Sequence, residues 1–317
     1  MNSEEFELSL RLFPIHPQTG NPTDWSEICK IFPAELVPRM ATSRWRVGSD
    51  EIAVEWKTEI GTAGAVKLPR SRNDTAPSVS STSMSWREFS AYVRDLEPYQ
   101  RIFRGQTDST KRLRTAFHRT GRANLLKFMN QDIPELYNLL TSHTRHIFKL
   151  ENAADNGAFY SLAQHHGYPT PLLDWTHSPF ISAYFAYKSV KKNDRKEDKR
   201  VRIFVFDRKS WEEDFSQIQK LSPARPHFSV LAAWAIDNPR ILPQQGLFTV
   251  TNIDDIETYI AKRQEEKSKT YLTAIDLPST ERSEVMQELA LMGITAGSLM
   301  PGLDGACEQL RERYFDL

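Results

Sequence analysis

The chain has 317 residues, which is enough for two domains, or for one large domain whose core needs no disulfide or metal ion to stabilise it. Its 41 basic and 41 acidic residues give a formal net charge of zero, which removes the usual electrostatic argument for broad affinity toward nucleic acids. The two cysteines, Cys29 and Cys307, match no metal-ligand or disulfide spacing, and no apolar run resembles a secretory signal or a membrane span. We therefore expect a cytoplasmic protein that does not insert into membranes.

The first 70 residues predict a small β-rich module. Short apolar runs such as EIAVEWKTEI alternate there with glycine and proline, which is typical of strands joined by tight turns. Residues 71–84 are rich in serine and nearly free of apolar residues, which is the composition of a linker. The sequence therefore predicts an N-terminal β-rich module at 1–70, a linker at 71–84 and a second domain at 85–317.

The second domain contains both helical and strand patterns. Ser85 and Glu88 have the spacing of a capping box and predict a helix start, and RIFR at 101–104 predicts a short strand. A mostly helical region follows from about residue 124 to 166. Further strands are predicted at 202–206, 245–250 and 271–275. A helical middle between strands indicates an α+β fold with a mixed sheet.

Residues 160–188, YSLAQHHGYPTPLLDWTHSPFISAYFAYK, carry denser polar chemistry than an ordinary core segment needs. We predict a helix, a turn, a short buried strand over 172–175 and a second helix that begins at Thr176 or Ser178. A strand that leads into a helix N-terminus is a frequent ligand site, because the unpaired backbone N–H groups there favour anions. The candidate ligand residues at this strand end are Asp174, Trp175 and Thr176.

Arginine and glutamine side chains at other strand ends extend this set of candidates. Arg104 ends the RIFR strand and precedes Gly105, a residue that would let a ligand approach the backbone closely. A guanidinium at that place suits a phosphate or a ribose, and an ion pair with Asp174 or Asp108 is the structural alternative. Arg240 and Gln245 lie around the ILPQQG segment and are further candidates.

Two adjacent histidines and one basic stretch complete the candidates. His165 and His166 would point about 100° apart on a helix and would not comfortably share one metal ion, so we predict a supporting role for both and no metal site. The stretch at 111–122, KRLRTAFHRTGR, is either a solvated loop or a set of phosphate contacts to a nucleic acid.

Five ordered motifs resemble the FRG domain family, which takes its name from a Phe/Tyr-Arg-Gly motif and is widespread in bacteria. They are FRGQ at 103–106, LAQHHGYPT with LLDWT at 162–176, AYFA at 183–186, NPRILPQQGLFT at 238–249 and MPGLDG at 300–305. The resemblance covers residues 86–305, so we assign the whole predicted second domain to this family.

The order of the motifs is also similar, more distantly, to that of NAD-dependent ADP-ribosyltransferases, which implies a split sheet with a helical insertion. This resemblance implies that NAD, as a substrate, contacts Arg104, Gly105, Gln106, Trp175 and Arg240. It implies that catalysis involves Arg104, Asp174, Thr176 and Gln245. QQG contains no glutamate where the superfamily has one, so Asp174 is the candidate for stabilising charge at the anomeric carbon.

The resemblances imply an ADP-ribosyltransferase-like enzyme that modifies a nucleic acid or a protein, as a bacterial toxin or antiphage effector with a neutralising antitoxin or chaperone. Two alternatives remain open. One is a non-catalytic sensor that binds a nucleotide or a nucleic acid in the same pocket, and the other is a metal-independent nucleic-acid hydrolase that uses the histidines and Asp174. A shared pocket would bring Arg104, Thr176 and Gln245 to one cleft.

Overall fold

A computed structural model describes residues 4–17, 23–69, 77–223, 225–231 and 234–315. The chain divides into two compact units, Met1–Thr75 and Ala76–Leu317, and the division falls inside the serine-rich segment. Among the described residues, no helix is both long and apolar enough to cross a membrane.

The first unit contains a four-stranded antiparallel sheet in which neighbouring strands follow one another in the chain. Its strands are β1 (Glu4–Arg11), β2 (Met40–Val47), β3 (Glu51–Thr58) and β4 (Ala63–Pro69), and its helix is α1 (Trp25–Ile31). Asp24 caps the helix by accepting from the backbone N–H of Glu27. The β-rich character predicted for this module is confirmed.

The second unit contains a seven-stranded sheet in the order β5-β11-β8-β6-β7-β10-β9, antiparallel except for the pair β5 and β11. The strands are β5 (Ser81–Ser83), β6 (Arg101–Gln106), β7 (Leu172–Thr176), β8 (Arg200–Asp207), β9 (Phe228–Leu231), β10 (Gly246–Thr251) and β11 (Leu272–Pro278). The helices are α2 (Trp86–Arg94), α3 (Ala116–Arg119), α4 (Leu125–Lys127), α5 (Ile133–Thr141), α6 (Ala153–His165), α7 (Pro179–Tyr187), α8 (Arg208–Asp214), α9 (Ile256–Lys267), α10 (Arg282–Leu291), α11 (Ala296–Leu299) and α12 (Leu303–Phe315). The predicted α+β class is confirmed.

The sheet is split between two of its central strands. β6 pairs with β8 along all six of its residues, whereas its only register pair with β7 joins Phe103 to Thr176. Beyond that pair, Arg104 and Gly105 have no ladder partner on β7. A split of this kind leaves backbone polar groups that must find other partners, and it makes room for a cleft within the sheet.

The core lies on both faces of this sheet. Along β8, Ile203 and Val205 pack in the cluster that contains α2, α7 and α10, while Phe204 and Phe206 pack against the opposite cluster around Trp211. A strand that is buried on both faces needs a continuous apolar run, and RIFVF supplies one. Apolar packing on both faces of the sheet therefore stabilises β8, the strand that pairs with β6 beside the split.

The predicted linker at 71–84 is too long at its C-terminal end. Ser81–Ser83 form β5, and the buried carboxylate of Glu257 accepts from the backbone N–H groups of Ser78 and Val79 at 2.6 and 3.1 Å. Hydrogen bonds to a distant residue therefore hold a segment whose own side chains provide little apolar surface. Residues 70–76 lie outside the described residues.

A buried histidine directly before β9, His227, makes the free energy of unfolding depend on pH. Burial lowers the pKa of His227 to about 4, and its Nε2 accepts from the backbone N–H of Ser222, a role that only the neutral ring can fill. The unfolded chain takes up this proton near pH 6.5, so between about pH 6.5 and 4 the unfolded state binds more protons. We expect this contribution to stability to be complete above about pH 6.5 and to fall by about 3 kcal/mol as the pH drops toward 4.

Urea denaturation of the wild type and of His227→Gln at about pH 7 and about pH 4.5 checks this expectation, because the difference between the two proteins isolates the histidine from the other titrating groups. The variant should lose less stability on acidification than the wild type. An identical loss in both proteins would contradict the assignment.

Candidate functional site

A cavity of about 450 Å³ lies at the split between β6 and β7. Its walls come from both of these strands, from β10, from helices α6 and α7 and from the loop at 238–244. The volume falls in the range of small-molecule sites, about 300–1,000 Å³. The described lining residues from the predicted set are Arg104, Gly105, His165, Asp174, Trp175, Thr176 and Arg240.

Arg104 spans the split at the base of this cavity. Its Nη1 donates to the carbonyl oxygen of Asp174 at 2.7 Å and lies 3.7 Å from Oδ2 of the same residue. The side chain is 16% exposed, and its buried Nε has no hydrogen-bond partner among the described residues. Burial lowers the pKa of the guanidinium, although Asp174 opposes that shift. The guanidinium remains charged at neutral pH and retains donor capacity for an anion.

Asp174 is the only carboxylate among the described residues that line the cavity. Its Oδ1 accepts from Nε2 of Gln164 at 2.6 Å, and Oε1 of Gln164 accepts in turn from the hydroxyl of Thr170. The Asp174 side chain is 58% exposed, so it is oriented by these bonds and still accessible. Sequence reasoning missed Gln164, although it stands in the LAQHH motif.

Two further cations line the same cavity. The Nε of Arg240 is buried without a hydrogen-bond partner among the described residues, and its Nη2 lies 3.9 Å from Oδ2 of the exposed Asp304. Lys188 follows the last turn of α7, and its Nζ lies 5.7 Å from the ring centre of Phe185. Three basic side chains and one carboxylate therefore face the cavity, which favours a negatively charged ligand.

His165 also lines the cavity, and a hydrogen bond fixes its ring. Its Nδ1 lies 2.6 Å from Oδ1 of Asn238, whose Nδ2 donates to the hydroxyl of Ser161 at 3.3 Å. Burial lowers the pKa of His165, the bond to Asn238 raises it, and the charge of Arg240 lowers it. The ring is therefore neutral at neutral pH. Asn238 was also missed from the sequence.

The neighbouring His166 is exposed and does not line the cavity, and its ring stacks on that of His165 at 4.7 Å. Within the described ranges, no group of three or more His, Cys, Asp or Glu side chains could hold a metal ion.

Two residues of the predicted ligand set have structural roles instead. The indole of Trp175 is 3% exposed and donates to the hydroxyl of Thr249 at 3.0 Å, because alternation along β7 turns it to the face opposite Asp174. The Thr176 hydroxyl donates to the Gln244 carbonyl and accepts from the backbone N–H of Ser178, which is the residue that caps α7. The Trp175 indole therefore points into the core although the residue borders the cavity, and its contact with NAD stays a prediction. The hydroxyl of Thr176 is already occupied.

The two residues after Arg104 differ from the prediction as well. A Cβ added at Gly105 would lie 2.0 Å from the carbonyl oxygen of Ser182 and 2.6 Å from the backbone nitrogen of Ala186. The missing side chain therefore lets helix α7 pack closely against β6, and the residue also borders the cavity. The Gln106 side chain donates to the carbonyl oxygens of Asp108 and Lys111 at 2.9 and 2.6 Å, and it holds that turn outside the cavity.

Gln245 does not line the cavity, whereas its neighbour Gln244 does. Gln245 adopts a left-handed conformation with φ 46°, and its carbonyl accepts from the backbone N–H of His177 at 3.1 Å. The Gln244 side chain donates to the carbonyl of Leu299 at 3.0 Å. Arg104 and Thr176 therefore line one cavity, as predicted, but Gln244 lies where Gln245 was expected.

The basic stretch at 111–122 is largely occupied by ion pairs. Arg112 pairs with Asp255 and Arg114 with Asp254, both at 2.6 Å. Arg122 pairs in the same way with an aspartate beside α5. These arginines tie the stretch to the segments that precede α9 and α5, so their ion pairs have a structural role.

The close contact at Gly105 predicts a loss of stability on substitution. Gly105→Ala is expected to lower the free energy of unfolding by about 2 kcal/mol, because the new methyl group displaces the backbone of α7. Chemical denaturation measures the change. Gly121→Ala is the control for adding a methyl group without a steric clash, since no atom lies within 4 Å there, although its positive φ adds some strain. Equal losses at both positions would show that the contact with α7 is not tight.

These elements define an α+β protein whose sheet is split by a ligand-sized, positively charged cavity. Residues 99–195 match the family model of the FRG domain, so the chain contains an FRG domain. The match covers the motifs at 103–106, 162–176 and 183–186, whereas the motifs at 238–249 and 300–305 lie outside it. The matched residues include β6, α6, β7 and α7, which supply much of the cavity wall. No curated protein and no solved structure matches the chain.

Proposed function

We propose that the cavity binds NAD and that the protein transfers the ADP-ribose part of NAD to an acceptor hydroxyl of a nucleic acid or a protein. One observation carries the proposal: two arginines, each with an unpartnered buried Nε among the described residues, converge with one oriented carboxylate on the same cavity. The resemblance of the motif order to ADP-ribosyltransferases is consistent with this arrangement.

Binding would come from the cations. Guanidinium groups suit phosphate oxygens because they present several donors in one plane. A buried donor without a partner costs about 1–3 kcal/mol, so a pyrophosphate that accepts from Arg104 and Arg240 would recover part of that cost. Lys188 adds a third positive charge to the lining of the cavity.

Chemistry would centre on Asp174. When the bond between nicotinamide and C1′ of ribose breaks, its electron pair leaves with nicotinamide and positive charge develops on the sugar. A fixed carboxylate next to that carbon stabilises the charge. Asp174 is oriented by Gln164 and stays exposed to the cavity, which supports this role.

The biological role in this proposal is that of a cytoplasmic toxin or antiphage effector. ADP-ribosylation of a nucleic acid or a protein would harm the cell unless it were restrained, so the proposal includes a neutralising antitoxin or chaperone.

The test is incubation of the pure protein with NAD labelled in its adenylate part and with protein, RNA and DNA acceptors. We expect release of nicotinamide and label on one acceptor class, and we expect loss of both in Arg104→Met. Arg87→Met is the matched control, because that side chain is 87% exposed and does not line the cavity. Folded wild-type protein that releases no nicotinamide and labels no acceptor contradicts the proposed enzyme.

A second candidate is a non-catalytic sensor that binds a nucleotide in the same cavity. It is favoured by the absence of glutamate among the described lining residues, where Asp174 is the single carboxylate. Calorimetry separates the two functions, since saturable binding of NAD that depends on Arg104 and occurs without turnover is expected only of the sensor.

A further inference from the structure

Two consecutive residues of α6 reach two different parts of the cavity. Gln164 orients Asp174, and His165 meets Asn238 on the loop that also contributes Arg240. The proposed binding of pyrophosphate and the proposed stabilisation of sugar charge use the arginines and Asp174. Neither of them uses His165, although it lines the same cavity.

The hydrogen bonds define which nitrogen of His165 is available. The amide of Asn238 donates from Nδ2 to Ser161, so its Oδ1 accepts, and Nδ1 of His165 must be the donor at 2.6 Å. The proton therefore stays on Nδ1, and Nε2 has a free lone pair. No residue in the described part of the chain bonds to Nε2, which leaves it for a ligand in the cavity.

We propose that His165 is the general base of the transfer reaction and that Asn238 is the residue that positions it. This inference depends on the proposed function. The acceptor hydroxyl gives its proton to Nε2, its oxygen forms the new bond to C1′, and the bond from C1′ to nicotinamide breaks with its electron pair on nicotinamide. The products are the ADP-ribosylated acceptor, nicotinamide and a proton that the imidazolium later releases to water.

The surroundings keep this base in its active form. Burial and the charge of Arg240 lower the pKa of His165, as does the neighbouring ring of His166, while Asp304 at the start of α12 opposes them. The ring is therefore already unprotonated at neutral pH, and it needs no carboxylate partner to be oriented, because the amide of Asn238 fixes the ring.

The test compares three variants with the wild type in transfer rate, NAD affinity and pH profile. We expect His165→Ala to lower kcat by about 100-fold or more with an NAD Kd changed by less than about threefold. His166→Ala, the adjacent exposed histidine, should retain the rate. Asn238→Asp should move the acidic limb of the kcat profile up by about one pH unit, because a carboxylate on Nδ1 favours the imidazolium.

Each outcome has a defined meaning. Transfer by His165→Ala at the wild-type rate overturns the role of the base, and so does an Asn238→Asp profile that stays in place. If His165→Ala does not fold, the profile of Asn238→Asp decides, since that change is nearly isosteric. A wild-type protein that neither binds NAD nor releases nicotinamide overturns the proposed function together with the base. Turnover that is insensitive to His165 overturns the base alone.

Discussion

Arg104→Met is expected to weaken NAD binding by about 10- to 150-fold, which corresponds to the loss of about 1.5–3 kcal/mol for hydrogen bonds that involve a charged group. Methionine keeps much of the side-chain length but supplies no donor for a phosphate. Calorimetric titration measures the change in Kd. Arg104→Lys should bind with intermediate affinity, since it keeps the charge and loses the planar fork.

The same substitution removes the donor to the Asp174 carbonyl in the sheet split, so we also expect a loss of stability of about 1–3 kcal/mol. Urea denaturation of Arg104→Met reports it, and binding is compared at a temperature where both proteins are folded. Arg87→Met should match the wild type in both measurements. A Kd for Arg104→Met equal to that of the wild type would remove Arg104 from the ligand site.

Asp174→Asn is expected to slow nicotinamide release by about 100- to 1,000-fold, the range seen when one preorganised electrostatic group is lost from a catalytic site. Asparagine can still accept from Nε2 of Gln164, so the local geometry should survive. The NAD Kd should change only a few-fold, because the substitution removes a negative charge and leaves the cations in place. Single-turnover kinetics with a parallel titration separate the two effects.

Asp198→Asn, on an exposed loop, is the matched control for this change of charge and should keep the wild-type rate. If Asp174→Asn keeps the wild-type rate while Arg104→Met loses binding, the cavity binds NAD but Asp174 does not stabilise the reacting sugar. That combination of results would mean that another residue stabilises the positive charge on the sugar.

The α+β class followed from the sequence because strands such as RIFVF and the capping box at Ser85 are local signals, and the structure contains both. The cavity positions of Arg104 and Asp174 could also be anticipated, since each stands on a short strand next to polar residues. Sequence order alone could not reveal that the two strands pair at a single position.

The sequence could not predict the direction of individual side chains or contacts between residues that are distant in the chain. Strand alternation sends Trp175 to the core while Asp174 faces the cavity, and a left-handed residue at 245 brings Gln244 to the wall instead. The local pattern predicted helix α7 but not its packing against Gly105, which uses the space that the sequence analysis assigned to a ligand. Asn238 opens the NPRILPQQGLFT motif, but its contact with His165 could not be predicted because the two residues lie 73 positions apart in the chain.

A crystal structure of the protein with bound NAD tests the central claim most directly. We expect the dinucleotide in the cavity between β6 and β7, with pyrophosphate oxygens about 3 Å from guanidinium nitrogens of Arg104 and Arg240 and with the nicotinamide ribose next to Asp174. NAD bound elsewhere on the molecule, with this cavity empty at saturating ligand, would contradict the account.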